Sequence, residues 1–222
     1  MIDLHSHTFF SDGELVPSEH LRRVEAMGYE AMAITDHADS SNLDFIIPRI
    51  VRAAADWNRH STTRMIAGIE LTHVQPPLIA RLTAQARELG AQLVVVHGET
   101  IVEPVAPGTN LAAIEAKVDI LAHPGLISAE EMELAALRGV CIEISGRKGH
   151  CLTNGHIVRL AAAGGADLVL DSDAHGPDDF MTQERADNIA YGAGLNQSGL
   201  EAVRRNMKRL TARIFKDLPA SG

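Results

Sequence analysis

The strongest constraint on this chain is a sevenfold alternation of short β-rich runs with longer helical patterns. Candidate strands fall at residues 2–5, 31–35, 65–71, 92–97, 119–122, 140–145 and 167–170. Helical patterns lie between them at 17–27, 43–59, 77–89, 111–115, 129–137 and 155–163, and two more, 183–191 and 198–215, close the chain. The punctuation agrees. Pro17 and Ser18 open the first helix and Gly28 follows its end. Ser128 precedes Ala129-Glu130-Glu131, an N-cap followed by carboxylates that the helix dipole favours. Gly90, Gly139 and Gly164-Gly165 fall where C-caps belong. Successive βα units mean parallel strands covered by helices, and Leu93-Val94-Val95-Val96 reads as a strand buried on both faces. Such a sheet is either open and doubly wound or closed into a barrel. No Gly-x-Gly-x-x-Gly follows a strand, so the dinucleotide-binding open sheet has no support. A length of 222 residues suits one domain, 1–222.

A barrel gathers its function at the C-terminal ends of its strands. Polar residues recur at every one of those ends. They are His5-Ser-His7, Thr35-Asp36-His37, Gly68-Ile-Glu70, His97-Gly-Glu99, His123-Pro124, Glu143 and Asp171-Ser-Asp173-Ala-His175. In the opening stretch Asp3, His5 and His7 share one strand face, and Asp12 follows in a loop before Gly13. Histidine with carboxylate and no thiolate points to a polynuclear centre of Zn, Mn or Fe. Neighbouring cations need a bridging carboxylate, and Glu70, rooted among apolar residues, is the best bridge. Such a centre supplies hydroxide near neutral pH and neutralises phosphoryl oxygens, the equipment of phosphoester hydrolysis. No Gly-x-Ser-x-Gly elbow and no Cys/His nucleophile arrangement competes with it.

The chain resembles the PHP family, the polymerase and histidinol phosphatase metal-dependent phosphoesterases. The motifs, in family order, are Asp-Leu-His-Ser-His-Thr at 3–8, Ile-Thr-Asp-His at 34–37, Gly-Ile-Glu at 68–70, His97, His123-Pro-Gly and Ser172-Asp-Ala-His175. The resemblance implies an α/β fold, a distorted seven-stranded (β/α) TIM-like barrel. It also implies three divalent metal ions: one held by His5, His7, Glu70 and Asp173, a second by Glu70, His97 and His123, and a third by Asp12, His37 and His175. It casts Glu70, Asp173 and His175 in the catalytic role. The activity implied is hydrolysis of a phosphate monoester, histidinol-phosphate-like or nucleotide-type, by metal-bound hydroxide. Some members of the family have histidine where Asp12 stands. Arg147 and Lys148 are expected to hold the distal part of the ester, with a solvated basic loop as the alternative. Glu143 is expected in the same mouth, as a substrate contact or a partner behind a ligand, with a buried structural carboxylate as the alternative.

The remaining polar residues divide in the same way. Asp36 and Asp171 neighbour ligands and are expected to orient imidazoles; Asp3 supports the ligands without joining them. Glu99, Glu103 and Asn110 lie in a loop that could face substrate. His150 is a substrate-contact candidate, while His20, His60 and His73 fall outside the pattern, His20 and His60 as exposed helix residues. An amidohydrolase barrel also begins with His-x-His, but it leaves Asp12 and His37 unexplained. A non-catalytic metal-bound scaffold is the third reading. The formal charge of −9 argues against a stable nucleic-acid surface, although nucleotide substrates stay open. Cys141 and Cys151 make no disulfide framework, and Cys141 reads as a buried small hydrophobe. No basic leader and no long apolar run is present, so a cytoplasmic protein with no membrane span is expected. The expected partner is a small phosphorylated substrate.

Overall fold

A computed structural model describes residues 1–216. These residues form eight parallel strands and eight α-helices, alternating except that the third strand follows the second directly and the last two helices both follow the last strand. The strands are β1 (Ile2–Asp3), β2 (Ala31–Ile34), β3 (His37–Ala38), β4 (Arg64–Leu71), β5 (Leu93–His97), β6 (Ile120–Ala122), β7 (Cys141–Ser145) and β8 (Leu168–Asp171). The helices are α1 (Pro17–Ala26), α2 (Leu43–Asn58), α3 (Pro76–Glu88), α4 (Thr109–Glu115), α5 (Ala129–Arg138), α6 (Asn154–Gly164), α7 (Gln183–Gly192) and α8 (Gln197–Lys216). Neighbours run β1-β2-β4-β5-β6-β7-β8, with the two-residue β3 added beside β4. The seven main strands make a nearly closed parallel barrel. β3 was not expected; two residues inside a polar loop carry no periodicity.

The barrel closes at a seam between the chain after β1 and the chain after β8. Ser6 bridges Ala174, the His7 amide donates to the Ala174 carbonyl at 2.8 Å, and the Asp173 amide donates to the His5 carbonyl at 3.0 Å. Two buried carboxylates bind the same seam. Asp171 Oδ1 accepts from the Leu4 amide at 2.6 Å, and Asp3 Oδ1 accepts from the Ser172 amide at 3.1 Å. The regular strand therefore stops at Asp3 rather than His5, because the Leu4 amide bonds to a side chain instead of a neighbouring strand.

Helix ends follow the local chemistry. Ser128 and Glu131 form a reciprocal capping box on α5, and Gly139 ends it in the left-handed conformation, φ 71°. The amphipathic α8 buries Leu200, Val203, Met207, Leu210 and Ile214 against the barrel. Among the described residues no helix is long and apolar enough to cross a membrane.

Candidate metal centre

All nine candidate ligands converge at the C-terminal mouth of the barrel. Glu70, wholly buried near the end of β4, stands at the middle. Its Oε1 lies 3.3 Å from His5 Nε2 and 3.7 Å from His123 Nε2; its Oε2 lies 2.6 Å from His37 Nδ1 and 4.0 Å from His7 Nε2. Asp173 faces it across the mouth, with Oδ1 3.1 Å from His7 Nε2 and Oδ2 3.8 Å from His123 Nε2. Asp12 Oδ1 lies 3.4 Å from His37 Nε2 and 3.2 Å from His175 Nε2. His97 ends β5 and packs its ring edge-on to His123 at 4.5 Å. His123 and Asp173 both have positive φ, 28° and 53°, a conformation that costs a non-glycine residue energy and that clusters at functional sites.

The donor set fits divalent ions. The Nε2 atoms of His5 and His7 are 3.1 Å apart and face the same two carboxylates. Two donors about 2.1 Å from one ion lie at most about 4 Å apart, which matches these separations. Groups of donor atoms within 4.8 Å of one another include His5, His7 and Glu70; His5, His123 and Asp173; His97, His123 and His150; and His7, Asp12, His37 and His175. Glu70 Oε1 and the Nδ1 atoms of His7 and His123 are buried without a hydrogen-bond partner. An orphaned carboxylate oxygen facing imidazoles is what an ion would satisfy.

Protonation follows from burial and crowding. Burial and the neighbouring His37 bring His7 down to about 3, and burial with His97 holds His123 well below the usual range. Both are neutral, the form that binds metal. Burial alone would raise Glu70 and Asp173, but His5 and its neighbours hold both carboxylates well below the usual range. Burial opposes charge on His5 and His37 as well. Glu143 and Glu70 nevertheless carry His5 well above its ordinary value, and Glu70 with Asp12 lifts His37 to about 10. The pocket thus keeps its carboxylates ionised by holding protons on two imidazoles.

Glu143 is wholly buried, with Oε2 2.5 Å from His5 Nδ1, the contact of a partner behind a ligand, which is one of the readings open to it. Other expectations need correction. Asp36 and Asp171 orient no imidazole. Asp36 takes the Thr8 amide at 2.7 Å and the Thr8 and Ser11 hydroxyls at 2.8 Å each, pinning the loop that carries Asp12. His20 is buried, not exposed, with its ring edge-on to Phe180. His60 is exposed as expected. Glu99 and Asn110 bond to each other and brace their loop instead of facing the mouth.

Other residues fall on either side of the site. Arg147 reaches its edge, donating from Nη1 to the Asp173 carbonyl at 3.2 Å. Lys148 is exposed and makes no hydrogen bond or ion pair among the described residues. His150 is buried beside His123, the rings stacked at 4.1 Å. Thr72 escaped notice: its hydroxyl lies 2.7 Å from His37 Nδ1 and 2.9 Å from Glu70 Oε2. Its place two residues beyond Glu70, on the same face, was the available signal.

Fold and site together define the class, a metal-dependent hydrolase of the (β/α)-barrel type. The chain belongs to the PHP domain family, whose profile matches residues 3–111. It is 43% identical over 201 residues to the uncharacterized protein MJ1295 of Methanocaldococcus jannaschii, covering 90% of this chain and 92% of that one. It is also 33% identical over 109 residues to a 3',5'-nucleoside bisphosphate phosphatase of Chromobacterium violaceum, covering 41% of this chain and 38% of that one. Among solved structures, a chain of an archaeal ribonuclease P with mature tRNA superposes with a TM-score of 0.72, at 14% identity, covering 100% of this chain and 96% of that one. The histidinol phosphate phosphatase of Lactococcus lactis, solved with zinc, L-histidinol and phosphate, gives 0.59 at 15% identity, covering 94% and 93%. At these identities the structural likenesses establish the fold.

Proposed function

We propose that the protein hydrolyses a phosphate monoester at a centre of three divalent ions, one held by His5, His7, Glu70 and Asp173, one by Glu70, His97 and His123, and one by Asp12, His37 and His175. One observation carries this reading: Glu70 has an oxygen within 4.0 Å of His5, His7, His37 and His123, ligands drawn from all three sets. Divalent ions in such a centre acidify water and neutralise phosphoryl oxygens. The chain's own residues do the holding and aiming. Glu143 fixes the His5 ring so that Nε2 faces the centre. Arg147, braced on Asp173, offers a planar fork to the ester's non-bridging oxygens. Lys148, exposed on the same loop, adds positive charge at the approach.

Two details favour a nucleotide-type monoester over a histidinol-type one. Sequence identity of 33% and 30% runs to the nucleoside bisphosphate phosphatase and to an Escherichia coli exoribonuclease, whereas the histidinol phosphatase likeness is at 15%. The net charge of −9 disfavours a long polynucleotide and allows a small anion drawn by clustered cations. The chain spans under two fifths of the length of each of those two relatives.

The test is metal analysis of the purified protein, followed by a panel of phosphate monoesters and short oligonucleotides with Mn, Zn and Fe. A tenfold preference for one class corresponds to about 1.4 kcal/mol in transition-state binding and assigns the substrate class. Glu70→Gln and Asp173→Asn should each abolish turnover while leaving the circular dichroism spectrum unchanged. Full turnover in either variant overturns the assignment.

A further inference from the structure

The loop at 98–108, between β5 and α4, crosses the mouth under tight restraint. The Glu99 amide donates to Asn110 Oδ1, and Glu99 Oε1 accepts from the amides of Gly108 and Asn110, all at 3.0 Å. Asn110 Nδ2 donates to the Pro124 carbonyl at 2.9 Å. The loop also passes so close to Gly125 that a Cβ there would sit 1.9 Å from the Glu99 carbonyl oxygen. A strap of this kind holds what it carries in a defined place. It carries Glu103.

Glu103 turns back into the mouth. Its Oε2 lies 3.0 Å from His97 Nε2 and 3.1 Å from His73 Nε2, and its Oε1 lies 3.5 Å from His150 Nε2. His150 is itself oriented, with Nδ1 2.8 Å from the Thr100 hydroxyl. At His97 the geometry is decisive. Its Nδ1 lies 3.1 Å from the Gly98 carbonyl, which can only accept, so Nδ1 carries a hydrogen. Nε2 is then the ring nitrogen left to bind, and it faces Glu103 Oε2. A carboxylate with two imidazole nitrogens at 3.0 and 3.1 Å is the kind of donor cluster a divalent transition metal takes. His73, Glu103 and His97 indeed offer three donor atoms within 4.8 Å of one another. His73 is held at this place with φ 51°, in the left-handed region.

We infer that Glu103 is a further metal ligand, joining Glu70, His97 and His123 at the second ion, with His73 bonded to it from outside. The inference rests on the three-ion reading of the centre. It adds a carboxylate to the second position and would tie the 98–108 strap to the ion. The ligand class is a divalent transition metal with mixed imidazole and carboxylate coordination.

The experiment titrates metal-free protein with Zn and Mn by calorimetry, with bound metal counted by mass spectrometry, for wild type, Glu103→Gln, Glu103→Asp and His73→Ala. Glu103→Gln should weaken one ion tenfold or more and leave the others unchanged; His73→Ala should weaken the same ion less. Amide hydrogen exchange across 98–108 should slow on metal addition in wild type and not in Glu103→Gln. Matching thermal melts of the metal-free forms establish that the variants fold, and Glu103→Asp, a shortened ligand, should fall between wild type and Glu103→Gln. Unchanged affinities in Glu103→Gln overturn the inference, and a raised KM alongside them would make Glu103 a substrate contact. A wild type that binds no ion overturns the three-ion reading instead.

Discussion

Nδ1 of His5 and Oε2 of Glu143 lie 2.5 Å apart, with both side chains wholly excluded from solvent. The contact joins the seam strand to β7 across the barrel interior. A carboxylate on the far nitrogen of a ligand histidine fixes the ring's tautomer and strengthens its other nitrogen as a donor. Burial pushes Glu143 up to about 7, with His5 pulling the other way.

Glu143→Gln should therefore act through the metal. The amide keeps the shape of the contact and loses its charge. Metal affinity at the first position is expected to fall about 10- to 100-fold, with KM for substrate nearly unchanged once metal is saturating. Calorimetric titration of metal-free protein checks this. A raised KM with intact metal affinity would return Glu143 to the substrate side.

Metal affinity should depend steeply on pH. His5 is raised well above its ordinary value and His37 to about 10, so both carry protons at neutral pH when no ion is bound. Binding must release them. Apparent affinity should rise at least tenfold per pH unit between pH 6 and 8, and activity should fall on acidification or chelation. Calorimetry in buffers of different ionisation enthalpy counts the protons. A pH-independent affinity would contradict the protonated resting state.

His20 sets an acid limit on stability. It faces Phe180 from α1, both ring nitrogens lack partners, and burial with nearby His175 brings it down to about 4. A histidine depressed in the folded state binds its proton more readily when unfolded. Its contribution is complete above about pH 6.5 and is lost as pH falls toward 4, amounting to about 3 kcal/mol. His20→Leu should remove that slope and the cost of two orphaned nitrogens. Urea unfolding of both proteins at pH 7 and pH 4.5 measures the difference, and parallel pH profiles would refute it.

Asp171 separates shape from charge at the barrel seam. Burial and nearby Asp3 push it well above the usual carboxylate range, so ionising it at neutral pH costs stability. Asp171→Asn keeps an oxygen for the Leu4 amide and removes the charge; its Tm should equal or exceed that of wild type. Asp171→Ala leaves that buried amide unpaired and should cost about 1–3 kcal/mol. Thermal melts of the two variants test the sign of each change.

Much of this was readable because barrel geometry converts sequence position into location. A polar residue at or just past the end of an apolar strand run emerges at one mouth of a barrel, so His5, His7, Glu70, His97, His123, Asp173 and His175 stand out at the strand ends, and the family resemblance sorts them into ligand sets. His20 was misread although its signal was present. Pro17, His20, Leu21 and Val24 recur at helical spacing and are the buried face of α1.

What the sequence by itself determined is the order of elements, their parallel βα alternation and the polar residues at the strand ends, since these follow from local patterns of period two and 3.6. Tertiary structure alone decided how those residues pair. The Ser172 amide to Asp3 spans 169 positions, and the partners of Glu143 and Glu103 lie on other strands and loops. Whether a carboxylate faces an ion, a histidine behind it or a backbone amide depends on a few ångströms of packing, and no local pattern encodes that distance.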